Sequence, residues 1–138
     1  MITKSIEQTV RFGFSPLEVY NVLMDEKKHA AFTGSEVTMS SEVNEEFSIF
    51  DGYCHGYNIE LIEGQKIVQA WHFVEDGWPD DHYSVCTFLF LPDGNGTLLT
   101  FKQTNIPEHK AEELSKGWKE FYWEAMEEYL KNMKTIKD

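Results

Sequence analysis

Two histidines and a neighbouring cysteine are the residues of this 138-residue chain whose spacing could support metal binding. If Glu63 and Gly64 form a two-residue hairpin turn, the strand register places His55 directly opposite His72. Imidazole nitrogens are common zinc ligands, but a zinc site normally needs at least three protein ligands. Cys54 points to the other face of the sheet, because side chains alternate along a strand. The pattern therefore predicts two partly exposed histidines on adjacent strands and no metal site.

Aromatic side chains are the second group with chemistry available to them. Ten Phe, six Tyr and four Trp make up 14% of the chain. Such residues offer large apolar surfaces, and each Tyr or Trp adds one polar group that can orient a bound molecule. The candidate ligand contacts are Trp71, Phe73, Tyr83, Phe101, Trp118, Phe121 and Tyr122. The alternative interpretation is that these rings simply pack as a core between a helix and a sheet.

Acidic residues dominate one part of the sequence. The formal net charge is −12, and residues 36–81 contain eleven acidic side chains against one basic side chain, Lys66. This balance argues against nucleic acid and anionic membranes as partners, because phosphate binding depends on Lys and Arg. The stretch is either a solvated surface or a docking surface for a basic protein partner. Candidate docking residues are Glu45, Glu46, Glu75, Asp76, Asp80, Asp81 and the loop aromatic Trp78, which we expect to be exposed.

Catalytic and cofactor motifs are absent from the sequence. There is no GxSxG, HExxH, P-loop or GxGxxG pattern, so we predict no catalytic residue and no cofactor. Two cysteines without a CxxC pattern favour a reducing compartment, which makes a cytoplasmic location the expectation. The N-terminus has no signal-peptide pattern, and no apolar run reaches the length of a membrane span.

The elements that would position these residues follow from periodicity and turn signals. Residues 4–14 alternate as a half-buried strand, with Gln8 on the same face as the apolar residues. Ser15 and Glu18 predict a capping box at the start of a short helix. Asp25 predicts the start of a second short helix that ends at Gly34.

The remaining chain predicts a sheet followed by one long helix. Residues 37–106 read as successive strands joined by short turns, which indicates an antiparallel meander. Residues 108–134 have helical periodicity, with an apolar face that includes Trp118, Phe121, Ala125 and Tyr129. The prediction is a single α+β domain over residues 1–138. It has the helix-grip arrangement, in which a curved antiparallel sheet of six to seven strands holds a long C-terminal helix, with two short helices besides.

A family resemblance supports the same architecture. The motifs that carry it are residues 14–20, 31–33, 47–52, 67–71 and 117–123, together with Gly56, Trp78, Pro79 and His82. In their order and spacing the chain resembles the homologues of the activator of the heat shock protein 90 ATPase, within the START-like, pollen-allergen-like helix-grip superfamily. The resemblance extends from Val10 to Leu130.

The resemblance implies a protein that binds rather than catalyses. Its eukaryotic members carry an additional N-terminal domain that makes the main chaperone contact, whereas this sequence begins at its own first predicted strand. The implied role is therefore a supporting contact with a heat shock protein 90-type chaperone by a domain of the C-terminal type. Other superfamily members bind small hydrophobic molecules between sheet and helix, and a few are cyclases. A small apolar ligand is the alternative expectation.

Overall fold

The computed structural model describes the backbone of residues 1–137 and the side chains of residues 1–134. Over these residues the chain forms six strands and four α-helices. The strands are β1 Thr3–Phe12, β2 Glu46–Ile49, β3 Cys54–Ile62, β4 Lys66–Phe73, β5 Ser84–Asp93 and β6 Gly96–Pro107. The helices are α1 Pro16–Met24, α2 Glu26–Thr33, α3 Ala111–Gly117 and α4 Glu124–Lys137. A 3-10 turn at Glu108–Lys110 precedes α3, and a π-helical segment at Trp118–Trp123 joins α3 to α4.

The six strands form one antiparallel sheet in the order β1-β6-β5-β4-β3-β2. The helices pack against one face of it, called here the inner face. Tyr20 of α1 contacts Phe90 of β5 with ring centroids 5.6 Å apart, and Trp118 contacts Phe101 of β6 at 4.4 Å. The predicted α+β helix-grip fold is confirmed.

The two short helices begin and end where the sequence predicts. Ser15 accepts a hydrogen bond from the Glu18 amide, and the Glu18 side chain accepts one from the Ser15 amide, which completes the capping box. Asp25 caps α2 by accepting from the Lys28 amide. Gly34 ends α2 with a left-handed φ of 69°, a conformation that favours glycine.

The predicted long C-terminal helix is confirmed as one uninterrupted helical run, but it is not α-helical throughout. Between Trp118 and Trp123 it widens into a π-helical segment, and the Glu124 amide donates to the Lys119 carbonyl five residues earlier. In an α-helix, residues five apart point about 140° away from each other. The wider turn lets Trp118 and Trp123 both face the sheet. Their indole rings are stacked, with centroids 5.6 Å apart and ring planes inclined by 21°.

The π-helical segment also shifts the buried face by one residue. The predicted face continues through Phe121, but that side chain is 55% exposed, whereas Trp123 is buried. Further along, Met126 and Leu130 are buried where the pattern predicts Ala125 and Tyr129. The 3.6-residue periodicity fails here because one extra residue is accommodated in the turn.

Gly56 and Gly117 differ in how much space surrounds them. A Cβ at Gly56 would lie 1.7 Å from the Ala70 carbonyl oxygen, so the backbone contact between β3 and β4 requires glycine there. Gly117 has helical φ and ψ, and a Cβ there would meet only Phe121 Cδ2 at 3.9 Å. Gly117 therefore does not mark a close approach of the helix to the sheet, because its surroundings are open.

Three buried tryptophans donate their indole N–H groups to glutamines on the inner face. The three hydrogen bonds are Trp71 Nε1 to Gln69 Oε1 at 2.9 Å, Trp118 Nε1 to Gln103 Oε1 at 2.8 Å, and Trp123 Nε1 to Gln8 Oε1 at 2.6 Å. A buried indole N–H without an acceptor would be destabilising, so each glutamine makes it possible to bury a large ring.

The glutamine amides are themselves satisfied. Gln103 Nε2 donates to Ser84 Oγ, which donates to the Trp71 carbonyl. Gln69 Nε2 donates to Asn58 Oδ1 at 2.9 Å, and Gln8 Nε2 donates to the Ser115 carbonyl at 2.8 Å. The network therefore connects the long helix to strands in the middle and at one edge of the sheet.

Replacing Gln103 by leucine should reduce the free energy of unfolding by about 2 kcal/mol, because it leaves the Trp118 N–H buried without an acceptor. Urea denaturation monitored by far-UV circular dichroism would measure the change. Gln65→Leu is the matched control, because Gln65 is exposed. A loss in Gln103→Leu no greater than in the control would contradict this role for the network.

Candidate functional site

A cavity of about 150 Å³ lies between the long helix and the inner face, near the start of β3. Aromatic side chains and the Cys54 thiol form most of its wall. The lining residues are Phe50, Tyr53, Cys54, Trp71, Phe73, Glu75, Glu113, Leu114, Gly117, Trp118, Phe121 and Tyr122. Its size suits a single aromatic ring.

Polar groups line one side of this cavity. Tyr53 Oη donates to Glu75 Oε2 at 2.5 Å, and Lys110 Nζ lies 3.5 Å from Glu75 Oε1. Burial, followed by the hydrogen bond and charge of Glu75, raises the pKa of the Tyr53 phenol. The arrangement therefore presents a neutral phenol and a paired carboxylate to the cavity.

Five of the seven predicted ligand contacts line the cavity: Trp71, Phe73, Trp118, Phe121 and Tyr122. Phe101 is fully buried in the core against Trp118 and Trp123 instead. Tyr83 is misplaced by the prediction, because its ring contacts His55, Tyr57 and His72 on the opposite face of the sheet. The alternation of β5 explains this, since its neighbour Ser84 is the residue paired with Trp71.

His29 is buried, and no local sequence pattern distinguishes it. Its Nδ1 donates to the Leu23 carbonyl at 2.8 Å, so Nε2 accepts from Tyr122 Oη at 2.8 Å. Burial lowers the pKa of His29 to about 4, against a smaller opposing effect of the Leu23 carbonyl. The neutral imidazole thus ties α2 to the cavity-lining tyrosine.

The two cysteines are buried thiols. Burial, with a further contribution from Glu75, raises the pKa of Cys54, and burial likewise raises that of Cys86. A thiol that stays protonated at neutral pH is a poor nucleophile. Neither cysteine therefore has the properties of a reactive group.

The outer face of the sheet carries a second cluster of rings. His55 lies opposite His72 in the strand register, which confirms the predicted pairing. Their ring centroids are 4.9 Å apart, and Tyr57 and Tyr83 lie beside them. Among the described residues, no group of three or more His, Cys, Asp or Glu side chains is arranged to hold a metal ion.

The predicted docking residues separate into exposed and buried members. Glu45, Glu46, Asp76, Asp80 and Asp81 are exposed.

The expectation that Trp78 is exposed is wrong. It is 4% exposed, packs on Phe73 at 4.8 Å, and donates its indole N–H to the His82 carbonyl. Glu75 is half-buried in the ion pair with Lys110, so it does not belong to the open acidic surface.

The sequence profile of the family described as "Activator of Hsp90 ATPase homolog 1-like protein" matches residues 14–131. The chain belongs to this family. A Dictyostelium discoideum relative named "Activator of 90 kDa heat shock protein ATPase homolog" is 36% identical over 118 residues. A Mus musculus relative named "Activator of 90 kDa heat shock protein ATPase homolog 2" is 24% identical over 128 residues.

The chain spans about a third of the length of these curated activator relatives. The alignments cover 85% and 93% of this chain but 30% and 38% of the relatives.

Solved structures related to this activator-family chain have the same fold. The crystal structure of an HSP90 activator from Plasmodium falciparum superposes with a TM-score of 0.85 and 27% identity. The match covers 91% of this chain and 95% of that chain. A Mesorhizobium loti protein matches with a TM-score of 0.82 at 16% identity, covering 94% of this chain and 98% of that one, which indicates the fold alone.

None of the helices in the described part of this activator homologue is long and apolar enough to cross a membrane.

The buried His29 makes the stability of the protein depend on pH. Its pKa falls from 6.5 to about 4 on folding, so the unfolded chain binds the extra proton and stability is lost as pH decreases below 6.5. Between pH 7 and pH 5 the protein should lose about 2 kcal/mol more than the variant His29→Gln.

Urea unfolding of both proteins at the two pH values would measure this difference. Carboxylates contribute equally to both proteins, so the comparison isolates the histidine. Parallel pH dependence in the two proteins would contradict the assignment.

Proposed function

We propose that this protein is a co-chaperone-type binding domain that contacts a heat shock protein 90-type chaperone through its acidic surface, without catalysing a reaction. Membership of the activator family supports the choice of partner. Aromatic side chains fill most of the space between helix and sheet, which supports binding through the surface. A cytoplasmic location agrees with such a partner and remains part of the proposal.

The packing between helix and sheet carries this proposal. Rings of Trp71, Phe101, Trp118 and Trp123 occupy the space in which a large ligand would have to lie. The indole N–H groups of the three tryptophans are hydrogen-bonded within the protein. Opening this space would break those bonds as well as the ring contacts, so a large enclosed ligand is disfavoured.

Two groups of exposed acids are the proposed contact residues. Glu45 and Glu46 lie at the start of the edge strand β2, while Asp80 and Asp81 lie between β4 and β5. Such charges attract a basic partner surface and accelerate association at low ionic strength. We include Asp76 with them and leave out Trp78 and Glu75.

The chemistry of the cavity supports the proposal that the protein does not catalyse a reaction. Its thiol, Cys54, and its phenols, Tyr53 and Tyr122, all have raised pKa values and stay protonated at neutral pH. The Tyr122 hydroxyl is committed to His29. These groups are therefore poorly suited to act as nucleophile or base.

Reversing the charges at Glu45 and Glu46 to lysine, together with Asp80 and Asp81, should weaken binding to the purified cognate chaperone about tenfold or more at low salt. Isothermal titration calorimetry at low and high ionic strength would measure the effect. The difference between the proteins should shrink at high salt, since screening removes the electrostatic contribution.

The matched control reverses four exposed acids on the outside of the long helix: Glu112, Glu120, Glu124 and Glu128. It changes the net charge equally and should retain most of the affinity. Equal losses in both variants would indicate an effect of net charge alone. Absence of binding by the unmodified protein at low salt would refute the proposed function.

A second candidate function is binding of a small apolar or aromatic molecule in the cavity. The volume of about 150 Å³ and the aromatic wall favour it, and Tyr53 and Glu75 supply a polar edge. Its contact residues would be Trp71, Phe73, Trp118, Phe121 and Tyr122. Phe101 and Tyr83 are not part of this second proposal.

Filling the cavity should abolish such binding. Gly117 lines the cavity and has open space at its Cβ, so Gly117→Leu should place a side chain within it. Benzene, which a cavity of this size accommodates, should raise the melting temperature of the unmodified protein but not of Gly117→Leu.

Gly117→Ala is the control. It should keep the benzene response and gain about 0.5–1 kcal/mol of stability from alanine's higher helix propensity. An equal benzene shift in the leucine variant would exclude this cavity as the binding site.

A further inference from the structure

Contrary to the prediction from the sequence, which lacks a third ligand for a structural zinc site, we propose that His55 and His72 form a two-ligand surface site for a divalent transition-metal ion of the class that prefers imidazole, namely Cu²⁺, Ni²⁺ or Zn²⁺. The two side chains come from paired positions on β3 and β4 and lie on the outer face of the sheet. Water would occupy the remaining coordination positions. The site is separate from the cavity and does not depend on the proposed chaperone contact.

The spacing of the two rings fits a shared metal ion. A zinc-bound imidazole nitrogen lies about 2.0–2.1 Å from the metal, and the ring centre lies roughly 1.1 Å further out. Two such rings at angles of about 90–109° have centroids roughly 4.5–5.1 Å apart. The centroids of His55 and His72 are 4.9 Å apart, with the ring planes inclined by 44°.

The orientation of His72 is fixed in the way typical of a metal ligand. Its Nδ1 lies 2.9 Å from the His82 carbonyl oxygen, which can only accept, so Nδ1 carries the proton. The lone pair is therefore on Nε2. Metal-binding histidines characteristically donate their other ring N–H to a carbonyl or carboxylate in this manner, which fixes the tautomer.

The His82 carbonyl is itself held in place. It also accepts from the Trp78 indole at 2.8 Å, and the His82 ring donates from Nε2 to the Asn105 carbonyl at 2.7 Å. These bonds anchor the loop between β4 and β5 beside the histidine pair. Little reorganisation of His72 is therefore needed before a metal ion binds.

The coordinating nitrogens are available. His72 Nε2 and both nitrogens of His55 have no hydrogen-bond partner among the described side chains. Among the described residues, Ser35 Oγ is the one fully buried side-chain polar atom without a hydrogen-bond partner. The unpartnered histidine nitrogens are therefore not fully buried. His55 is half-buried and His72 is 6% exposed, so a small part of each side chain meets solvent.

One acidic side chain acts on the pair. Glu46, on the neighbouring strand β2, favours positive charge at His55, although burial and the neighbouring His72 have larger opposing effects. Glu46 pairs with Tyr57 in the register. The strand position next to His55 is the neutral Ser48, so no basic side chain is paired there. At a given nitrogen site the affinity of divalent ions is highest for Cu²⁺, so Cu²⁺ should bind more tightly than Ni²⁺ or Zn²⁺. Mg²⁺ and Ca²⁺ prefer oxygen ligands and should not bind at this site.

Titration of the untagged, full-length chain with CuCl₂, NiCl₂ and ZnCl₂ would test the proposal. Isothermal calorimetry should give one ion per chain, with Cu²⁺ binding most tightly. Zn²⁺ should shift the imidazole NMR signals of His55 and His72 together. His55→Gln and His72→Gln should each reduce the affinity at least about tenfold, because even loss of an outer-shell partner costs that much.

His109→Gln is the matched control, because His109 is exposed and distant in sequence from the pair, and it should leave the affinity unchanged. If His72→Gln fails to fold, the His55 variant and the NMR signals of the unmodified protein still show whether the two histidines bind the ion. No binding of any of the three ions at millimolar concentration would overturn the proposal. Binding that is unaffected by His55→Gln, or that leaves both imidazole signals unshifted, would overturn it as well.

Discussion

The hydrogen bond between a buried indole and a glutamine is the interaction on which most of this structure depends. Three large rings fill the space between helix and sheet, and each brings a donor that must be satisfied away from water. Trp118 and Trp123 donate to acceptors on β6 and β1, so these two bonds fix the helix relative to two neighbouring strands, while the Trp71 bond lies within β4. Apolar packing alone would allow the helix more freedom to slide, since it has no directional preference.

The same requirement accounts for the π-helical segment. Trp118 must reach Gln103 on β6 while Trp123 reaches Gln8 on β1, and the two strands are neighbours in the sheet. A regular α-helix would direct the second indole away from the sheet. The widened turn therefore serves the polar network as well as the aromatic packing, and it leaves Phe121 at the edge of the cavity.

Local signals in the sequence were sufficient for the element order, the helix caps and the His55–His72 register, because each depends on a few neighbouring residues. The long helix was predicted correctly, but its π-helical segment was not, because a π-turn has no distinctive local pattern. The prediction that Trp78 is exposed is wrong because this loop residue folds back onto the core. Tertiary contacts, which no local pattern reveals, determine that packing. Gln8 on an apolar strand face was a visible hint of a buried partner, whereas the bond between His29 and Tyr122 joins residues 93 positions apart and had no local signal.

The strand order leaves β1 and β2 at the two edges of the sheet. Exposed edges can pair with the edge of another molecule and so begin aggregation. Here β2 is only four residues long and starts with Glu46, directly after Glu45, while β1 carries Lys4, Glu7 and Arg11 on exposed positions. Short length and charged side chains both oppose such pairing. The acidic edge is therefore also a safeguard that keeps separate copies of the protein from joining their sheets.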